Sequence, residues 1–418
     1  MKIFYPHIIK SLKDYSKEKF LKDIIAGLIV AIIALPLSIA LAIASGVGPE
    51  VGLYTAIVAG FIISLLGGSP VQIAGPTAAF ASIVAGIVMT KGMAGLATAT
   101  VLAGIILVIM GILRLGNLIK FIPHSITVGF TAGIAVTIAI GQVKDFLGLT
   151  FKTSPVETVE KVEAIADSIT TTNLWGLGVG AIALLILILL PKVLPKVPAS
   201  LVAVLICAAV VKLADLPVNT IGTLYPDITS APPQFHLPEI SVDTVLSALP
   251  DAVTIAILAA VESLLSCVVA DSMVGSRHNS NTELIAQGLG NVGSALFGGI
   301  PATGAIARTA ANVKNGGRSP ISGITHSVVL FLMLILFMPY AKLIPMPTIA
   351  AILFIVAYNM SEYKKFAKIC CERKVADILV LVLTFALTVI FDLVVAIVAG
   401  LIIHYAIVLA KKLLLKTK

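Results

Sequence analysis

Two charged side chains sit where an oily chain should tolerate none. Arg308 lies in GGIPATGAIARTAANVKNGG (298–317), and Glu262 lies in PDAVTIAILAAVESLLSCVVADSMVG (250–275). A guanidinium is a permanent, multi-donor cation suited to holding an anion, and a carboxylate in an apolar setting can carry a proton. Burial and a neighbouring cation act on that proton in opposite senses, so whichever prevails makes Glu262 a proton carrier or a fixed counter-charge. Ser266 follows one helical turn later and can face the same way. Two plainer readings stand beside these. Arg308 could snorkel toward the surface near Lys314 and Arg318, or Glu262 and Arg308 could form a pair that only fixes packing.

The stretch around Arg308 opens on Gly-Gly-Ile-Pro and is too short to cross a bilayer. A second stretch, GSPVQIAGPTAAFAS (68–82), has the same character. Each predicts a short helix announced by Gly and Pro. Backbone polar groups cannot face lipid unpaired, so such breaks survive only inside protein or beside a watery cavity. A helix N-terminus carries unpaired N–H groups and partial positive charge, which favours an anion. Two such ends aimed at one point, with Arg308 beside them, predict the positive half of an anion site. The alternative is that Gly and Pro merely permit close helix packing. Pro36, in ALPLSIALAIASGVGPEVGLYT (34–55), kinks the first segment and frees a carbonyl, which points Leu37, Ser38 and Leu41 toward the same cavity.

The elements that must position these groups follow from composition. Of 418 residues, 58% are hydrophobic and 12% charged, with a mean hydropathy of +1.08. This is the composition of an integral membrane protein. No strand-like alternation recurs, so the expected class is all-α and polytopic rather than an outer-membrane barrel. Fourteen apolar segments can be placed, near 24–44, 51–66, 76–90, 94–113, 124–142, 174–190, 199–213, 248–271, 284–298, 303–313, 320–340, 346–359, 375–391 and 394–413. With a cytoplasmic N-terminus, only Lys91, Lys144, Lys152, Lys161, Lys212 and Lys342 of the 29 Lys and Arg fall outside, and Arg308 within the membrane. That bias is what orientation by inside-positive loops requires. It accounts for the net charge of +8 without a nucleic-acid partner.

The chain then divides into a cytoplasmic segment 1–23, a first repeat 24–213, an outer loop 214–247, a second repeat 248–413 and a cytoplasmic tail 414–418. Seven segments per half is an odd number, so the second half is inverted, and its broken tenth segment corresponds to the third. Corresponding interrupted segments mark a transporter's binding site. The loops 143–173 and 214–247 are polar and expected to be only partly ordered. The N-terminus lacks a signal-peptide core and is expected to be retained. The four cysteines show no metal-ligand spacing with His, and no phosphate loop or HExxH helix appears. No cofactor, metal or enzymatic role is expected.

On these residues the chain resembles the sulfate permease (SulP) family of anion transporters, over about residues 20–412. The resemblance is carried by PLSIALAIASGVGPEVGLYTAIVAG, by GGSPVQIAGPTAAFAS, and by VADSMVGSRHNSNTELIAQGLGNVGSALFGGIPATGAIARTAANVKNGG. It implies a core domain of segments 1–4 and 8–11, a gate domain of segments 5–7 and 12–14, elevator-like movement and a homodimer. It places the anion between the N-termini of the third and tenth segments. By position, Thr77 and Ala78 head the third, Gly304, Ala305 and Ile306 head the tenth, Arg308 matches the basic position and Glu262 the acidic one. Members usually add a cytoplasmic STAS domain, whereas this chain stops at KKLLLKTK, so a membrane domain without it is expected. Sodium-coupled members carry Asp and a hydroxyl where Glu262 and Ile306 stand here, which leaves fewer oxygens for Na⁺. The expected function is therefore H⁺-coupled symport or exchange of sulfate, bicarbonate or a dicarboxylate at the plasma (inner) membrane. The alternatives are a Na⁺-coupled bicarbonate transporter, a nucleobase-type permease or an anion channel.

Overall fold

The computed structural model describes residues 4–117, 123–152, 155, 157–195, 197–238, 241–372, 374–391 and 393–416. Its helices in chain order are α1 (His7–Ser11), α2 (Lys17–Ala44), α3 (Pro49–Leu66), α4 (Ala81–Ile112), α5 (His124–Leu147), α6 (Thr158–Ser168), α7 (Leu174–Val193), α8 (Ala199–Leu213) and α9 (Ile221–Leu224). The second half continues with α10 (Val242–Val274), α11 (Ser280–Leu296), α12 (Ile306–Lys314), α13 (Pro320–Ala341), α14 (Met346–Met360), α15 (Tyr363–Cys371), α16 (Val375–Ile390) and α17 (Leu393–Lys416). Among the described residues, seven spans are long and apolar enough to cross a membrane: α2, α3, Ala78–Ile112, α5, α7, α10 and α13. Three shorter apolar helices lie at Ala199–Leu213, Val375–Ile390 and Val395–Leu409. The protein is a multi-pass helical membrane protein.

Helix is present at each of the fourteen apolar segments marked in the sequence, with informative differences at the ends. The third and fourth segments are joined as α4, interrupted at Gly92, whose φ of 68° takes it out of helical geometry. The helices expected to begin at 76 and 303 begin later. A 3-10 turn starts at Ala78 and α12 at Ile306, because the residues before them are extended and paired with each other: β1 (Ala74–Gly75) runs antiparallel to β2 (Thr303–Gly304). α10 starts at Val242, its first turn closed by a capping box from Ser241 and Thr244, and ends at Gly275 in the left-handed conformation.

The long loops are more ordered than expected. Residues 143–173 contain α6, and the 214–247 loop is tied down by His236 N–H donating to Leu296 O (2.7 Å) and Tyr54 Oη donating to Ala231 O (3.1 Å). Positions 153, 154, 156, 239 and 240 of these loops lie outside the described residues, as do 1–3, 118–122, 196, 373, 417 and 418 of the stretches expected inside.

The helices pack in two groups. α2, α3 and α4 pack with α10, α11, α12 and α13, while α5, α7 and α8 pack with α14, α16 and α17. Within the first group, α4 and α11 approach backbone to backbone: a Cβ on Gly104 would lie 2.6 Å from Gly288 O, and one on Gly288 would strike Gly104 O in turn. Small residues at the crossing allow the van der Waals packing that replaces hydrophobic drive inside lipid. Two carboxylates near the starts of α2 and α10 brace this group. Buried Asp23 accepts from Arg318 N (2.7 Å), Ser319 N (3.2 Å), Ser319 Oγ (2.6 Å) and Tyr15 Oη (2.6 Å), while Asp251 pairs with Lys91 (2.5 Å) beside Gly92. Burial and the bond to Asp23 push the Tyr15 phenol above the ordinary tyrosine range.

Gly288→Val should lower the thermal midpoint of the detergent-solubilised protein, at a cost of about 1–3 kcal/mol from overpacking. Gly178→Val, on α7 where nothing lies within 4 Å of the added carbon, should leave it unchanged. Equal midpoints for the two variants would show that the α4–α11 crossing does not need its glycines.

Candidate anion site at the strand crossing

The extended runs that precede the 3-10 turn at Ala78 and α12 cross at the centre of the first helical group. Ala74 pairs with Gly304 and Gly75 with Thr303. Two residues a strand cannot satisfy such a backbone, and the surrounding helices supply the rest. Buried Glu283 of α11 accepts from Gly68 N (2.9 Å), Ser69 N (3.2 Å), Gln72 Nε2 (2.8 Å) and Gln287 Nε2 (2.9 Å). Asn291, two turns along the same helix face, both donates to Ala302 O and accepts from Ala302 N, each at 2.9 Å. Asn312 Nδ2 donates to Val71 O (2.9 Å), Thr309 Oγ1 accepts from Ile73 N (3.0 Å), and Ser263 Oγ accepts from Gly304 N (3.1 Å). The backbone of each break is thereby paired inside the protein, as a lipid setting would require.

Both helix starts at this crossing lack a side-chain cap. Thr77 precedes the 3-10 turn and Ala305 precedes α12, and neither caps the amides that follow. Thr77 instead turns its hydroxyl outward and donates to Glu262 Oε2 (3.0 Å). Arg308 is 2% exposed. Its Nη2 donates to Pro76 O (2.6 Å), while Nε and Nη1 have no hydrogen-bond partner. The guanidinium of α12 therefore leans back across the strand pair, close under Gly75, where an added Cβ would come within 2.5 Å of Nη1. A buried cation with two idle donors beside two uncapped helix starts has donors to offer that the protein itself does not use.

The residues singled out in the sequence fare differently. Arg308 does not snorkel, and no ion pair links it to Glu262 among the described residues. Thr77, Ala78, Glu262 and Arg308 come together around the crossing, through the Thr77–Glu262 and Arg308–Pro76 bonds. Gly304 and Ala305 are not open donors, since their amides are taken by Ser263 Oγ and by Ile73 O (2.8 Å), and Gln72 closes over Gly304. Ile306 begins α12 with its side chain 43% exposed. Ser266 turns away from Glu262 and donates to Thr309 Oγ1 (3.4 Å). Leu41 is buried in the apolar core with Ser38, leaving only half-buried Leu37 with surface to offer a ligand.

Residues the sequence reading passed over carry much of the frame. Glu262 is not the one acidic group among the apolar helices: Glu283 is fully buried in α11, and the spacing Glu283, Gln287, Asn291 would have betrayed a polar stripe on one helix face. His326 of α13 is fully buried with both ring nitrogens unpartnered and lies within electrostatic reach of Arg308.

The description of the sulfate permease family matches residues 20–384. The chain belongs to that family. Among its relatives is the putative sulfate transporter YvdB of Bacillus subtilis, 46% identical over 402 residues that cover 94% of this chain and 74% of the relative. Another is the bicarbonate transporter BicA of a Picosynechococcus strain, 31% identical over 90% of this chain and 68% of the relative. The transmembrane domain of a cyanobacterial BicA superposes with a TM-score of 0.80 at 28% identity, covering 94% of this chain and 98% of that one. SLC26A9 shares the fold, with a TM-score of 0.85 at 20% identity over 97% of this chain and 68% of its own.

Glu283→Ala should cost about 3 kcal/mol by stranding the amides of Gly68 and Ser69 and both glutamine side chains. Glu283→Gln should cost less, because one oxygen remains to accept. Thermal unfolding in detergent checks the order, and a Glu283→Ala protein as stable as the parent would remove this carboxylate from the frame.

Proposed function

We propose that this protein is a secondary active transporter of a small anion, which binds between the starts of the Ala78 turn and α12. The observation that carries this reading is Arg308, buried at the strand crossing with Nε and Nη1 unpartnered. Ala78, Ile306 and the backbone behind them supply the dipolar part of the site, Arg308 the charge, and Thr77 a hydroxyl. The names of the relatives, sulfate and bicarbonate transporters, agree with an oxyanion of that size.

The proposed architecture is fourteen membrane segments in two inverted repeats, residues 24–213 and 248–413, with cytoplasmic termini in the plasma membrane and assembly as a homodimer. Support for the inversion comes from two features. β1 and β2, which lead into corresponding helices of the two halves, run antiparallel. Asp23 and Asp251, near the starts of α2 and α10, each hold the link that follows the other half's short helix. The first packing group then acts as the mobile core and the second as the gate, across which the core moves by an elevator step.

Glu262 is the proposed coupling group. It faces the site through Thr77, and a proton on its carboxylate would change the charge an arriving anion meets. A Na⁺-coupled bicarbonate reading keeps a place because Ser263 and Thr303 set two hydroxyls 2.6 Å apart next to Glu262 in sequence and fold. Nucleobase transport would call for carboxylates on both α10 and α12 to grip ring N–H groups, and α12 brings Arg308 instead.

Uptake of labelled sulfate, bicarbonate and fumarate into proteoliposomes under an imposed H⁺ or Na⁺ gradient tests this. Arg308→Ala should weaken binding of the transported anion by about tenfold to a hundredfold, the worth of a charge-assisted hydrogen bond, with the sizing profile unchanged. Unaltered affinity would remove Arg308 from the site. Glu262→Gln should flatten the pH dependence of uptake, and a parental pH profile in that variant would make Glu262 structural.

A further inference from the structure

Between the Ala78 turn and the second helical group lies a cavity of about 200 Å³. Ala79 and Ser82 line it from the half-helix side, Thr137 and Gln142 from α5, and Thr388 from α16; Lys161 of α6 lines it from above. A second cavity, of about 170 Å³, adjoins it at Gly141 and Lys161 and carries Lys144 beside Phe151. α6 is the roof over both. Its loop is closed at the base by Asn173 N–H donating to Leu147 O (2.9 Å) and Thr150 N–H donating to Thr171 Oγ1 (3.0 Å), and the helix packs on α5 and α16.

We propose that these two cavities form an outer anteroom in which the Lys161 ammonium, with Lys144 at its mouth, holds a small inorganic oxyanion before it reaches the half-helix site. This rests on the transport reading above and adds a second, outward binding step to it. The charge balance of the anteroom favours an anion. Lys161 and Lys144 outnumber the one acidic lining residue, Glu157, whose carboxylate keeps its charge while accepting the backbone N–H of Glu160 in a reciprocal capping box. Asp145 and Glu372 lie outside both cavities, and among the described residues no carboxylate forms an ion pair with Lys161 or Lys144.

Ser82 and Gln142 can replace part of a hydration shell, while Thr137 and Thr388 keep their hydroxyl protons on Ile134 O (2.9 Å) and Thr384 O (2.7 Å). At about 30 Å³ per water, the inner cavity has room for an oxyanion together with several of its waters. Burial pushes the Lys161 ammonium below the ordinary lysine range while Glu160 opposes that; an anion in the cavity would relieve the burial cost. A cation at the head of a low-dielectric cleft raises local anion concentration and on-rate, and loses that effect in salt.

The roof belongs to one helical group and the floor to the other, since α6 rides on α5 and α16 while Ala79 and Ser82 sit with α3, α4 and α10. Displacement of the core would therefore open or close the anteroom from below without moving Lys161.

The test is initial-rate uptake into right-side-out vesicles carrying the full chain, for the parent, Lys161→Gln, Lys161→Arg and Lys144→Gln. Lys161→Gln should raise the external KM about fivefold with the maximal rate within about twofold, lose the salt sensitivity of that KM, and leave the internal KM for efflux unchanged. Lys161→Arg should restore the parental value, and Lys144→Gln should shift it less. An unchanged external KM in Lys161→Gln, or internal and external KM shifting together, would overturn the anteroom. A parent that accumulates none of the anions offered would instead count against transport itself, and phosphate or sulfate binding to the parent, lost in Lys161→Gln, would still uphold the outer site.

Discussion

Everything in the centre of this protein depends on one constraint: inside a membrane no peptide N–H or C=O can be left to lipid. The chain nevertheless abandons helix twice at its core, over residues 67–77 and 297–305. It does so by recruiting side chains for what helix would have supplied. Glu283, Gln287 and Asn291 on one face of α11, with Ser263 on α10 and Thr309 and Asn312 on α12, fill the role of a sheet that is only two residues long. A soluble protein could use water for this. Here the polar stripe is covalently built in, which is why α11 is the most polar of the long helices in the first group.

The cost of that arrangement is balanced by what it exposes. With the strand pair fixed, the first amides of the following helices have no side chain to cap them, and Arg308 is left with donors it cannot use internally. Removing a buried guanidinium's partners is ordinarily destabilising. A mobile anion is a partner that can arrive and leave, so the unsatisfied donors are compatible with a folded protein that binds weakly enough to release.

The architecture was largely legible in the sequence, because apolar runs and Gly-Pro punctuation report directly on helices and their interruptions. Helix occurs at every marked segment, and Arg308 and Glu262 stand near the crossing. What escaped was set by pairing across more than two hundred residues. Neither Ala74–Gly75 nor Thr303–Gly304 has strand character of its own, so local pattern assigned them to helix ends and made donors of Gly304 and Ala305. Glu283 escaped for a different reason: it lies in the first turn of α11, beside the polar run SRHNSN, where composition suggests a solvated edge. Ser266 shared a helix face with Glu262 only by count, and the neighbouring Thr309 decided its direction. α6 and α15 are amphipathic helices in stretches too polar to register as segments.

The antiparallel pair has a consequence for how the protein is made. While the first half is being synthesised and inserted, Ala74 and Gly75 have no partner strand, and Gly68 and Ser69 have no carboxylate, because Glu283, Thr303 and Gly304 have not yet left the ribosome. The third segment must therefore wait in the bilayer, or at its edge, as an incompletely paired intermediate until most of the chain exists. Long-range pairing of this kind slows folding and lengthens exposure of unpaired backbone. The two halves are thus a single unit of biogenesis, and a cell that makes only the first cannot store it as a finished domain.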